Sequence, residues 1–123
     1  MDRIQFRDAP GFRYLELDFT DLDHTATVLR LCDEARAVIG GQPRDSVFTL
    51  TKVAGSRFNA EMVDAFRRMV TADRPYVRAA AIVGMSGMMR IAYNAVLRLS
   101  RRHIPAFESE GAALAYLREQ AGG

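Results

Sequence analysis

Residues 77–84 read Val-Arg-Ala-Ala-Ala-Ile-Val-Gly, a short apolar run with Pro75 before it and glycines after it. Apolar residues at consecutive positions mark a strand near the centre of a sheet that is covered on both faces. A strand of that kind needs covering layers, and the sequence on either side supplies helical patterns to make them. With 123 residues, at roughly 100–200 residues per domain, the chain is expected to form one α/β domain spanning residues 1–123.

The elements follow from changes of period along the chain. Ile4-Gln5-Phe6-Arg7 and Phe12 to Phe19 flank the turn signal Asp8-Ala9-Pro10-Gly11 and predict an N-terminal β-hairpin. From Asp23, placed as N-cap, an approximate helical stripe runs through Ala26, Leu29, Cys32 or Asp33, Ala35 or Arg36 and Ile39 to the closing Gly40-Gly41 pair. Ser46 to Val53 predicts a strand. Asn59 then opens a helix whose apolar face is Met62, Val63, Phe66, Met69 and Val70. Ser86-Gly87 opens a third helix to Arg102, with Met88, Ile91, Ala92, Ala95, Val96 and Leu99 as its expected buried stripe. Ile104 to Glu108 reads as an edge strand, since proline is tolerated mainly at edges. A last helix from Glu110 to about Gln120 is anchored by Ala113, Leu114 and Leu117, and Gly122-Gly123 is expected to fray. The order β-β-α-β-α-β-α-β-α predicts a mixed, largely parallel sheet of about five strands with about four helices.

Composition excludes several classes. Half of the chain is hydrophobic (49%) and 26% is charged, which argues against disorder. One cysteine, Cys32, forms no intramolecular disulfide and reads as a small packed hydrophobe. Seventeen basic and 15 acidic residues give a net charge of +2, so no nucleic-acid partner is expected. The first residues are charged and lack an apolar signal region, and no window reaches the ~20 apolar residues of a membrane span; a cytoplasmic protein is expected. His24 and His103 lie apart without partners at ligand spacing, so neither a metal site nor a cofactor is expected. Asp18, Asp21 and Asp23 are explained by a turn and a cap.

Two stretches carry the candidate binding residues. In Gly84-Met85-Ser86-Gly87-Met88-Met89-Arg90, a small-residue turn joins a strand to a helix start. Free amides and partial positive charge at a helix N-terminus, with Arg90 one turn on, suit a phosphate or carboxylate. Gly84, Ser86, Gly87 and Arg90 are therefore candidates, although the stretch matches no phosphate-loop or nucleophile-elbow pattern. The second stretch is the loop Ala54 to Asn59, with Ser56, Arg57 and Phe58 as candidates. Arginines 67, 68, 74, 78, 90, 98, 101 and 102 stand against Asp73 alone between residues 66 and 105, and read as a solvated face. Met62, Met69, Met85, Met88 and Met89 read as core filler. If several of them face one cavity, an apolar ligand follows.

Phe48-Thr49-Leu50-Thr51-Lys52-Val53, Arg57-Phe58-Asn59, the run from Arg74 to Gly87, Ile91 to Val96 with Ser100-Arg101-Arg102, and the ending Phe107 to Leu117 together resemble the STAS superfamily. The likeness is to its small stand-alone bacterial proteins, anti-sigma-factor-antagonist-like, which are linked by fold to CRAL-TRIO lipid-binding domains. It implies a non-enzymatic regulatory or protein-interaction module acting on a protein partner, and a homodimer is compatible with it. The family's anti-sigma antagonists carry a phosphorylated Asp-Ser pair after the third strand, where this chain has Arg57-Phe58; Ser56 lies one residue earlier without the acidic context. The alternative expectation is a binding protein for a small amphipathic or lipid-like anionic ligand. The two differ in whether Met62, Phe66, Met88 and Tyr93 close into solid core or leave a cavity of several hundred Å³.

Overall fold

Strand and helix periods in the chain resolve into one five-stranded sheet in the computed structural model, which describes residues 2–122. The strands are β1 (Ile4–Ala9), β2 (Phe12–Asp18), β3 (Val47–Lys52), β4 (Val77–Val83) and β5 (Ala106–Phe107). The helices are α1 (Thr25–Gly40), α2 (Ala60–Asp73), α3 (Gly87–Ser100) and α4 (Glu110–Gly122). Spatial order follows chain order, β1-β2-β3-β4-β5. The β1–β2 hairpin is antiparallel, and β2/β3, β3/β4 and β4/β5 are parallel. The expected mixed, largely parallel α/β fold is thus the observed one.

Alternate residues of each strand feed two cores, because successive side chains of a strand point to opposite faces. Leu15, Leu17, Val47, Ala80 and Ile82 pack under α1, α2 and α3, while Tyr14, Phe48, Leu50, Ala79, Ala81 and Val83 pack under α4. The run 77–84 is indeed covered on both faces, yet β4 is fourth of five and β3 is the middle strand. A two-residue β5 with Pro105 before it closes that side as an edge. On the α4 face, Glu16 is buried and holds Arg7 Nε at 2.6 Å and Lys52 Nζ at 3.1 Å. That carboxylate joins β1, β2 and β3 on the α4 side of the sheet.

Four local expectations are corrected. Helix α1 starts at Thr25 with His24 as N-cap and no side-chain cap, so Asp23 falls one residue outside it. Its buried face is Val28, Leu31, Cys32, Ala35 and Ile39, with Ala26 exposed. Gly122 belongs to α4, while the fraying expected at Gly123 lies outside the described residues.

The fourth correction concerns α3. Met88, Ile91 and Leu99 are 86%, 78% and 73% exposed, and Ala95 is exposed with them; the buried residues are Tyr93, Val96 and Ser100. The helix is apolar around much of its circumference, so periodicity alone does not select its inward face. Tyr93 decides it, burying more surface than Ala95 and donating its hydroxyl to the buried Ile104 carbonyl at 2.6 Å.

Candidate binding cleft

Parallel strands order their carboxyl ends together, and here the loops after β2, β3 and β4 meet at one end of the sheet. The Asp21 amide donates to the Ala54 carbonyl at 2.9 Å, and the Arg57 amide donates to the Leu22 carbonyl at 2.8 Å. The β3–α2 loop is held in turn against β4 by Val53 N–H on the Val83 carbonyl at 3.0 Å. Two glycines allow this packing. Gly84 has φ +93°, and a β-carbon there would lie 2.8 Å from Ala54; Gly55 has φ +73°, and a β-carbon there would run into the Asp21 carboxylate.

Both helices leaving this end are capped. Asn59 Oδ1 accepts from the Met62 amide at 2.9 Å, and Asn59 Nδ2 donates to Thr25 Oγ1 at 2.8 Å, tying α2 to the start of α1. Ser86 Oγ accepts from the Met89 amide at 3.3 Å at the head of α3. Helix α3 meets α2 more closely than it meets any strand. A cleft of about 720 Å³ opens between α2, α3 and the ends of β3 and β4, within the roughly 300–1,000 Å³ of small-molecule sites.

Its walls are Val63 and Phe66 of α2 and Met88, Met89, Ala92, Tyr93 and Val96 of α3; its floor includes Val53 and Ile82. Phe66 and Phe58 belong to an aromatic cluster with Phe19, with centroids 6.2–6.3 Å apart. The rim is the pair of loops singled out in the sequence: Ser56, Arg57 and Phe58 on one side, Gly84, Met85 and Ser86 on the other. Among the described residues, the lining holds no carboxylate, histidine or cysteine. Its two buried hydroxyls are engaged, Ser56 Oγ donating to the Val53 carbonyl at 2.6 Å and Tyr93 to Ile104. Burial pushes the Tyr93 phenol well above its ordinary range.

Five of the seven sequence candidates, Gly84, Ser86, Ser56, Arg57 and Phe58, thus converge on one cleft. Gly87 and Arg90 are exposed and lie outside its lining. Ser56, buried with its hydroxyl on Val53, stands as a loop brace and not as an exposed hydroxyl. Sequence reasoning placed Val96 in the core and passed over Val63 as a lining residue. Of the four residues posed as a test, Phe66, Met88 and Tyr93 face the cleft while Met62 is buried in the core. Met85, Met88 and Met89 line the cleft together, which departs from the core role expected for the methionines.

No protein-family model matches the chain, and no curated protein or solved structure matches it significantly. Among the described residues, no group of three or more His, Cys, Asp or Glu side chains is placed to hold a metal, and no helix is long and apolar enough to cross a membrane.

Proposed function

We propose that this chain is a non-enzymatic, STAS-like binding module that takes up a small amphipathic molecule with an apolar body and an anionic head. The observation that carries the reading is the apolar cleft of about 720 Å³ between α2 and α3. Flexible thioethers of Met85, Met88 and Met89 adapt to an apolar chain or ring. Arg57 and the head of α3, whose first-turn amides have no intrahelical acceptor, supply positive character at the rim. The absence of any carboxylate, histidine or cysteine from the lining supports binding over catalysis. The sequence likeness to STAS domains supports a regulatory setting, with ligand occupancy read out by a protein partner at the Arg57-Phe58 rim.

Anilinonaphthalene sulfonate, an apolar ring system bearing one anion, is a direct probe. A saturable one-to-one fluorescence response, displaced by dodecanoate, is expected. Val63→Trp fills the cleft and abolishes the response, and Arg57→Ala weakens it about tenfold, the loss of one charge-assisted contact. A wild-type protein that gives no saturable response, or a Val63→Trp variant that responds unchanged with its near-ultraviolet circular dichroism intact, overturns the reading.

A further inference from the structure

The outer face of α3 carries a row of apolar residues open to solvent. Met88, Ile91, Ala95 and Leu99 are spaced by three, four and four residues, which places them on one side of the helix. All four are exposed, and among the described residues Met88, Ile91 and Leu99 are the large hydrophobic residues most open to solvent. The stripe runs the length of the helix, about 20 Å at 1.5 Å per residue. Isolated exposed apolar residues are ordinary, but a continuous row on one helix marks a contact surface.

Charge narrows what meets it. Residues 74–107 contain six arginines and no Asp or Glu. Of these, Arg98 flanks the stripe and Arg101 caps the helix end, both exposed. On the neighbouring helix α2, Asp64 is already held by Arg67 and Arg68 at 2.8 and 3.2 Å. A second copy of the chain packed stripe to stripe, antiparallel about a two-fold axis, sets the two Arg98 side chains on one side of the contact with no acid on α3 to pair with them, which disfavours that pairing. An apolar row bordered by cations and free of acids fits a surface that is itself apolar within and negative at its boundary.

We propose that α3 docks this protein on an anionic lipid surface, inserting Met88, Ile91 and Leu99 at the acyl boundary and setting Arg98 and Arg101 among the headgroups. The docking is peripheral and reversible, because one short helix carries it. It does not depend on the cleft being a ligand site.

Flotation of the full chain with vesicles tests it. Vesicles of phosphatidylcholine containing one third phosphatidylglycerol are expected to carry the protein upward, and phosphatidylcholine alone to leave it below. The combined Ile91→Ser and Leu99→Ser variant, altered only at exposed positions outside the cleft lining, and the Arg98→Gln, Arg101→Gln pair should each lose about tenfold or more in partitioning, the second loss matched in wild type by added salt. Val63→Trp should float as wild type does, which separates this proposal from the cleft reading. Wild-type protein that stays below with anionic vesicles overturns it, and so does undiminished flotation of the serine variant with its melting curve unchanged. A sedimenting dimer that the serine variant dissolves, with no vesicle binding, assigns the stripe to a second copy instead.

Discussion

A methyl group on Gly84 would lie 2.8 Å from both the β-carbon and the backbone nitrogen of Ala54. The bare α-carbon is what lets the β4–α3 turn sit against the β3–α2 loop, and this contact closes the inner end of the cleft rim. Gly84→Ala adds the steric clash to the cost of φ +93° for a residue with a side chain, together about 3 kcal/mol. The urea midpoint should fall accordingly, and the anilinonaphthalene sulfonate response should weaken with it. An unchanged midpoint would show that the two loops move apart freely.

The hydroxyl of Tyr93 fixes which side of α3 faces inward, through its 2.6 Å bond to the Ile104 carbonyl. Tyr93→Phe keeps the ring and leaves that buried carbonyl without its donor, at a cost of about 1–2 kcal/mol. Equilibrium unfolding in urea measures it. A variant as stable as wild type would mean that water replaces the hydroxyl.

Strand signals were the most legible part of the chain, because period-2 alternation and the apolar run at 77–84 leave few other structures open. Caps at Asn59 and Ser86 were equally readable, since each side chain serves an amide three residues on. The inward face of α3 was not: Met88, Ile91, Ala95 and Leu99 form as good a helical stripe as Met89, Tyr93, Val96 and Ser100. The choice between them depends on a tertiary bond to Ile104, which no local pattern encodes. The cleft was legible in its rim, where Gly84, Ser86, Arg57 and Phe58 stood out, but not in its walls. Whether Val63, Phe66 and Met89 meet or stand apart depends on the distance of α3 from the sheet.

Asp73 closes α2 with its carboxyl buried, and burial pushes that carboxyl up to about 7, against the pull of Arg102 and then Arg36. The unfolded group releases its proton near pH 4, so between about 4 and 7 the folded chain holds more protons than the unfolded one. Stability from this group therefore falls as pH rises through that window and is level above it. Asp73→Asn removes the slope. Arg102 keeps its bond to the Val70 carbonyl at 2.6 Å, so the variant gains about 4 kcal/mol on wild type between about pH 4 and pH 8. The difference between wild-type and variant unfolding energies, followed across pH, isolates this carboxyl from the others. A difference that does not change with pH would place the proton elsewhere.

Cys32 lies on the inward face of α1, 2% exposed. Burial pushes its thiol up to about 12, with Asp33 and Asp73 adding to the effect. The thiolate is the reactive form, and at pH 8 only about one native molecule in ten thousand carries it, against roughly a quarter of unfolded chains. Iodoacetamide should therefore label the native protein at least about a thousandfold more slowly than the urea-unfolded chain. Because the side chain is also walled off, the residual native rate reports opening of the α1–α2 core. Variants that loosen that core are expected to raise the logarithm of the rate in proportion to the stability they lose. Comparable labelling of native and unfolded protein would show that α1 leaves the sheet readily and that the thiol is open to reaction.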